Sequence, residues 1–347
     1  MEGCMTVITD VRDISRIAYG FMASRALFAG LELDLFTRLS GQPKSISTLA
    51  AESRTSPNLL LTLMVALTSL GLVIKTGDRF ENAPAAEAFL VRGAPKYYGE
   101  YLRVVNGKFS YRYLLNLDRA LRGDLLSGEG GFYGAYCSTP EEVEEFSRAQ
   151  HAGSLGPAAV LAKQIDLSGC KTLLDVGGGS GAFTISLCRR NPALTATILD
   201  FPDTVEVARR YAAEAGLTSR IRHLAGNALT ADWPIDQDVV LMSYVWSAVG
   251  EGDIEKLADL AHDALSPGGR FLIHDFMVDD DQAGPEVAAW HLLLSTINNP
   301  KAICLTRSGV TTRLQSRGFD DIVIEPLIPG ITSVAVARGA VTARVDE

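Results

Sequence analysis

The hydrophobic pattern changes character once along the chain. Up to about residue 170 apolar positions recur at helical spacing, and beyond it they gather into short runs. Between Ile14 and Leu39 the residues Ile17, Phe21, Leu27, Leu31 and Leu35 outline a helix. Ser47 precedes a short helix over Thr48–Glu52. Ser56 stands as the N-cap of a second helix, with Pro57 at its first position, where the missing N–H has no partner to lose. That helix ends near Gly71, and LVIKTGDRFEN then reads as a hairpin turning at Thr76-Gly77-Asp78. Helix, helix, hairpin is the order of a winged helix, so residues 1–94 are expected to form a winged-helix domain, all-helical apart from its hairpin. Residues 95–170 also read as helical, and include the aromatic-rich KYYGEYLRVVNGKFSYRYLL. Pro140 opens a helix there, with Glu141 and Glu142 at the positive end of its dipole.

From Lys171 the runs TLLDVG, ATILDF, IRHLAG, DVVLMSY and RFLIHDF alternate with helical patterns, and a late pair follows at DIVIEPLI and ITSVAVAR. Buried apolar strands alternating with helices predict a parallel sheet covered on both faces. The expected organisation is α/β: a winged-helix-like domain (1–94), a helical linker and substrate cap (95–170), and a Rossmann-like domain (171–347).

Composition narrows the partners. The 347 residues are 47% hydrophobic and carry a formal net charge of -9. An acidic chain with no basic run is a poor partner for nucleic acid or an anionic membrane. Near the helix–helix–hairpin only Lys44, Arg54, Lys75 and Arg79 are basic, so packing and dimerisation suit it better than DNA binding. No run approaches the roughly 18 apolar residues of a membrane span, and Met1 to Asp13 lacks the pattern of a signal peptide. Cys4, Cys137, Cys170, Cys188 and Cys304 are scattered without a CxxC pair, which argues against a disulfide framework or a zinc site and for a cytoplasmic location. No His, Asp and Glu cluster suggests a metal, and Asp279, Asp280 and Asp281 read as a solvated turn.

The chemistry gathers around LLDVGGGSGAF. Gly177, Gly178, Gly179 and Gly181 sit between a strand and a helix, where the backbone must turn sharply and lie against a ligand. Nicotinamide enzymes share such a loop. Asp175 ahead of it, positioned to accept from a cofactor's ammonium group, and the long helical region before it point to S-adenosylmethionine instead. Asp200 follows Gly177 by 23 residues, the spacing of an acid that holds ribose hydroxyls. Asn227 and Ala228 end the third strand, where an adenine amino group would meet a polar partner. The fourth strand ends at Ser243 and Tyr244, facing the reacting centre.

The order of these pieces resembles the plant-and-bacterial small-molecule O-methyltransferase family, of the acetylserotonin and hydroxyneurosporene type. The likeness covers nearly the whole chain through DVGGGSG, DFP, GNAL, LSPGGRFLIHDF and RGFDDIVIE. It implies a class I methyltransferase using S-adenosyl-L-methionine on a small acceptor, built as a homodimer whose N-terminal helices close each other's pockets. It also places Ser154 and Phe201 with Asp175, Gly177, Gly179, Asp200, Asn227, Ala228, Ser243 and Tyr244 at the cofactor. Phe146 and Gln150, on one helical face with Ser154, would line the acceptor pocket.

One departure from the family alters the expected chemistry. The family has a His-Asp-Trp after the fourth strand, whose His removes the acceptor's proton; here Ser247-Ala248-Val249 stands there. A serine hydroxyl is no base near neutral pH. Of the two acids that flank that His, Asp275 stands at the first position and Cys304 at the second. Either His291 or His151 replaces the base, or the acceptor needs no deprotonation, as with a thioether, a carbon nucleophile or a neutral amine. The second possibility points to S-methylation of a thioether acid, resembling the methylthiohydroxybutyrate methyltransferases of dimethylsulfoniopropionate synthesis. The alternative is O-methylation of a hydroxylated secondary metabolite with a relocated base. A thioether acid needs a carboxylate anchor, for which Arg112, Arg148 and His151 are the positive candidates and Tyr111, Tyr133 and Gln150 the neutral ones. Trp246 and Trp290 are either an apolar wall near the donor methyl or part of the core, and Ser247 and His291 are candidates for contact with the acceptor.

Overall fold

In the computed structural model, residues 7–124, 139–299 and 301–339 are described. The chain divides between Leu115 and Asn116 into two compact units, so the region 95–170 is shared between them.

The first unit opens with α1 (Val11–Glu32), capped by Asp10, whose carboxylate accepts from the Arg12 N–H at 2.8 Å. After α2 (Leu35–Leu39) and the short strand β1 (Lys44–Ser45) comes α3 (Ile46–Ser53). Its cap is Ser45, which accepts from the Thr48 N–H at 3.3 Å, so the helix begins two residues before the expected Thr48. α4 (Pro57–Ser69) starts on Pro57 as expected. The hairpin is β2 (Val73–Thr76) against β3 (Arg79–Asn82), with Thr76 opposite Arg79 and Gly77 at φ 60° in the turn. β1 pairs with the other edge of β3 and completes a three-stranded antiparallel sheet, an addition to the two strands expected. Leu35, Phe36, Leu49, Met64, Leu67 and Phe80 form the core between helices and sheet, each worth about 1.5–3 kcal/mol on burial. The expected helical face of α1 splits: Leu31 is buried, whereas Ile14, Ile17, Phe21 and Met22 are exposed. After α5 (Pro84–Phe89) the unit closes with α6 (Gly99–Tyr101), a π-helix (Leu102–Ser110) and α7 (Tyr111–Leu114).

The second unit contains α8 (Leu117–Leu121) and α9 (Pro140–Gln164), the latter capped by Thr139 and acidic in its first turn. A seven-stranded sheet follows in the order β6-β5-β4-β7-β8-β10-β9. Its strands are β4 (Thr172–Val176), β5 (Thr195–Asp200), β6 (Ile221–Ala225), β7 (Gln237–Ser243), β8 (Leu265–Asp275), β9 (Asp320–Ile328) and β10 (Thr332–Arg338). The first five are parallel, and β10 runs antiparallel to both its neighbours. Helices α10 (Ala182–Arg190), α11 (Pro202–Glu214), α12 (Glu251–Ala264), α13 (Glu286–Asn298) and α14 (Arg307–Gln315) join the strands.

The chain winds from β4 outward to β6, then returns to place β7 on the other side of β4. That reversal leaves a crevice at the carboxyl ends of β4 and β7, the place where open α/β sheets bind ligands. Strand alternation decides what faces it. Leu174 and Val176 point to a core shared with Ile254, Leu257 and Phe271, while Leu173 points to the opposite core with Ile185, Leu187 and Ile198. Asp175, between Leu174 and Val176, therefore lies on the α10 side, beneath the glycine loop.

Candidate active site

The loop after β4 is packed to the limit of what glycine permits. Gly177, Gly179 and Gly181 take φ of 66°, 58° and 79°, the left-handed region that side chains rarely adopt. A Cβ on Gly177 would meet Val245 at 2.8 Å, one on Gly178 the Asp175 carboxyl carbon at 2.8 Å, and one on Gly181 Ile198 at 2.9 Å. The cradle is thus held from below by Asp175 and from the side by the exit of β7.

Asp175 is buried. Its Oδ2 accepts the Thr184 hydroxyl at 2.5 Å, while its Oδ1 has no partner among the described residues. Burial, against the lowering effect of the Thr184 hydrogen bond and helped by the neighbouring Asp200 charge, pushes its carboxyl up to about 7. Asp200 closes the other side of the loop: Oδ2 accepts the Gly179 N–H at 2.8 Å and Oδ1 accepts its own neighbour's Phe201 N–H at 2.7 Å. Burial raises its carboxyl as well, against the lowering effect of those two donors. Phe201 is exposed beside it, an apolar ring with no cover of its own.

These groups fit S-adenosylmethionine. The unpartnered Asp175 oxygen suits an ammonium, the Asp200 carboxylate suits a ribose diol, and the side-chain-free loop admits the ligand's backbone-close approach. Asn227 caps its own turn, its Oδ1 accepting from the Leu229 N–H at 2.9 Å, and the Ala228 carbonyl accepts from Trp233 Nε1 at 2.9 Å. Ser154 lies half-buried on α9, eight residues from Phe146 on the same face.

Asp175 carries a pH prediction. In the unfolded chain it ionises near 3.8 and in the folded apo-protein near 7. Between those values the folded state keeps a proton that the unfolded state releases, so its contribution to stability falls as pH rises through that window. The effect is at most about 4 kcal/mol, at about 1.4 kcal/mol per pKa unit. Asp175→Asn is expected to flatten that part of the curve. Urea unfolding of both proteins between pH 5 and 7.5 checks it; parallel curves would refute the assignment.

On the acceptor side, β7 runs into a 3-10 turn (Trp246–Ala248). Asp275, buried at the end of β8, brackets this turn. Its Oδ2 accepts the Ser247 N–H at 3.0 Å and its Oδ1 the Phe276 N–H at 2.8 Å, and the nearby Ser247 hydroxyl and Trp246 backbone N–H help to lower its carboxyl. Burial outweighs these donors and pushes its carboxyl up to about 6. Trp246 is fully buried and packs edge-on to Phe271 in the core, so it is not an exposed wall; Trp290 on α13 is exposed. His291 stacks on Phe276 with ring centroids 4.0 Å apart, and Phe276 continues to Tyr244 at 5.0 Å. Burial lowers His291 to about 4.

His151 stands on α9 one residue after Gln150, and its ring faces the cofactor loop. Nδ1 lies 2.8 Å from Ser180 Oγ and the ring stacks on Tyr211 of α11 at 3.7 Å. Burial, with some contribution from Arg189, lowers it to about 4. Phe146 is buried and Gln150 half-buried on α9. Tyr111 and Arg112 belong to the first unit, where Tyr111 packs edge-on to Phe28 beneath the Arg25 guanidinium. Tyr133 lies outside the described residues. Cys304 is exposed. Among the described residues no group of His, Cys, Asp and Glu could hold a metal ion, and no helix is long and apolar enough to cross a membrane.

Sequence reasoning passed over Ser180, Thr184, His274, Phe276 and Thr332, all of which touch the site residues. Ser180 lies within DVGGGSG, and His274 and Phe276 within LSPGGRFLIHDF, but these motifs do not say what their side chains meet; Thr184 and Thr332 lie outside any motif, and all five are placed by strand register and helix packing.

A doubly wound sheet with a ligand cradle at its switch point, held between two acids, is the arrangement of a cofactor-dependent enzyme. Residues 122–301 match the family model of the O-methyltransferase domain, and residues 15–92 that of the O-methyltransferase dimerisation domain. The chain belongs to this O-methyltransferase family and is an S-adenosylmethionine-dependent methyltransferase. It is 31% identical to the tetracenomycin polyketide synthesis 8-O-methyl transferase TcmO of Streptomyces glaucescens, over 96% of this chain and 99% of that one. It is 28% identical to the N,N-dimethyltransferase OxyT of Streptomyces rimosus, over 84% of each chain. Human N-acetylserotonin methyltransferase, solved in complex with S-adenosylmethionine, shares the fold: TM-score 0.84, 23% identity, 97% of this chain and 100% of that one.

Proposed function

We propose that the protein transfers the methyl group of S-adenosylmethionine to a small secondary-metabolite acceptor whose attacking atom needs no deprotonation by the enzyme. The observation that carries this is the state of Ser247. At the position where the family places its histidine, its N–H is held by the buried Asp275, and its hydroxyl lies close enough to that carboxyl to help lower it. Asp275 in turn takes donors on both oxygens, which suits a bracket more than a base. The two histidines offer no substitute. His151 is engaged by Ser180, and His291, lowered to about 4, is neutral at pH 7 but too weak a base to drive removal of an alcohol proton. The protein's contribution is then to hold acceptor and donor in line and keep water out.

An acidic phenol that ionises on its own or an amine meets this requirement, and the names of TcmO and OxyT point to oxygen and nitrogen respectively. The thioether acid meets it too, but neither of these relatives' names points to sulfur. A homodimer is part of the same proposal: the dimerisation-domain match and the exposed apolar run Ile14, Ile17, Phe21 and Met22 on α1 both support it.

The test is release of S-adenosylhomocysteine with an acidic phenol, an aromatic amine and methylthiohydroxybutyrate between pH 6 and 9. Turnover is expected to track the acceptor's own ionisation. Ser247→Ala is expected to stay within about fivefold of wild type, the scale of one modest hydrogen bond. A second reading has one observation in its favour. Asp275, with its carboxyl pushed up to about 6 and the Ser247 hydroxyl nearby, has the chemistry of a base acting through a serine relay. In that case Ser247→Ala loses about 100-fold or more with a hydroxyl acceptor, and the base-free reading fails.

A further inference from the structure

His274 lies in β8, in register with Ser243 of β7 and Val334 of β10, in the middle of the sheet and fully buried. Both ring nitrogens are engaged by hydroxyls: Nδ1 lies 2.8 Å from Ser243 Oγ, and Nε2 lies 2.9 Å from Thr332 Oγ1. The residue also governs Tyr244. Its carbonyl accepts the Tyr244 N–H at 2.8 Å, and its ring packs edge-on to the Tyr244 ring at 4.5 Å. Tyr244 needs such restraint, because it holds φ at 59°, a conformation that costs a bulky residue about 1–3 kcal/mol. Ser243 and Tyr244 in turn stand beside the cradle: Met242 pairs with Val176, so Ser243 is the next residue out, alongside Gly177.

A neutral imidazole donates from one nitrogen and accepts at the other. Burial lowers His274 to about 3, so it is neutral at working pH, and its two hydroxyl partners must point in opposite senses. If Nδ1 donated, the Ser243 hydroxyl proton would be left for the ligand side. If Nδ1 accepts, that proton is turned inward and the oxygen's lone pairs face outward. A donor that carries a positive sulfonium is served by the second arrangement and opposed by the first.

We propose that His274 is a positioning residue, held as the Nε2–H tautomer by Thr332, which makes Ser243 donate inward so that its oxygen lone pairs, with the locked Tyr244 turn, face the cofactor. This rests on the reading of Ser243 as a cofactor residue.

Two conservative variants separate this role from mere packing. An Asn side chain reaches about as far as Nδ1 and keeps a partner for Ser243; a Gln side chain reaches about as far as Nε2 and keeps Thr332 instead. His274→Asn is expected to bind S-adenosylhomocysteine within about threefold of wild type, and His274→Gln about tenfold more weakly, one hydrogen bond apart. Titration calorimetry reads the affinities and thermal unfolding reads stability. A structural role alone would rank the two by stability, so equal affinities, or the reverse order, overturn the proposal. Nitrogen-15 spectra of the wild-type histidines give an independent reading that no folding defect can obscure. The expected signature is an unprotonated Nδ1 and a protonated Nε2 from pH 6 to 8; a protonated Nδ1 overturns the proposal. Ser243→Ala tests the premise separately. Undiminished affinity there refutes the reading of Ser243, and the proposal with it, whereas weakened affinity beside a reversed Asn and Gln order refutes the proposal alone.

Discussion

Asp200→Ala is expected to weaken S-adenosylhomocysteine binding by about 100-fold or more, with the sheet intact. The carboxylate sits at the end of β5 with one oxygen on the Gly179 N–H and the other on the Phe201 N–H. It therefore both ties the cradle to the sheet and presents charge at its rim. Hydrogen bonds from a ribose diol to a carboxylate are charge-assisted, about 1.5–3 kcal/mol each, and two of them together exceed the 2.7 kcal/mol or so that corresponds to 100-fold. The variant also leaves the Gly179 N–H without its acceptor, which loosens the loop in the same direction. Asp200→Asn keeps the shape and one acceptor oxygen but not the charge, and is expected to fall between wild type and Ala. Titration calorimetry decides the matter: binding by Asp200→Ala within threefold of wild type would remove this residue from the cofactor site.

The second large effect lies in the loop itself. Gly178→Ala is expected to lose cofactor binding by at least about 100-fold and to unfold at lower temperature, while Gly179→Ala, one residue on, is far milder. The contrast follows from what each new methyl would meet. At Gly178 it lands 2.8 Å from the Asp175 carboxyl carbon, 2.9 Å from its Oδ2 and 3.0 Å from Ile198. Asp175 is pinned by Thr184 and Ile198 is buried in the sheet, so neither can yield and the loop itself must move. Overpacking of this kind costs about 1–3 kcal/mol in stability, and a cradle displaced by even an ångström no longer fits its ligand. At Gly179 a methyl meets nothing within 4 Å, and the penalty is the left-handed backbone at φ 58°, about 1–2 kcal/mol. Thermal unfolding and cofactor titration of the pair provide the check. Equal losses for both would mean that the packing beneath Gly178 does not set the position of the loop.

The local devices of this fold were legible because each is written in adjacent residues. Pro57 and Thr139-Pro140 start their helices where the sequence places them, Gly77 turns the hairpin, and the spacing from Gly177 to Asp200 marks a loop and an acid that the sheet brings together. The boundary of α3 slipped because Ser45, Ser47 and Thr48 offer competing caps, and the antiparallel partner β3, which is distant in sequence, draws Ser45 into extended backbone and makes it the cap.

Strand alternation and register decided what the sequence left open. The sequence marks Asp175 as an acceptor for an ammonium group, but only its burial on the α10 side shows that its carboxyl is pushed up to about 7 and that it also supports the loop. Trp246, which the sequence leaves open between pocket wall and core, is core, because the 3-10 turn that Asp275 brackets turns its ring inward toward Phe271. His151 gained Ser180 and Tyr211 as partners, and His274, unremarkable in the run RFLIHDF, was set between Ser243 and Thr332. Periodicity, caps and turn glycines act over a few residues and so can be read in order along the chain. The charge state and orientation of a buried side chain depend on neighbours 29 to 58 positions away, and only the folded sheet brings those together.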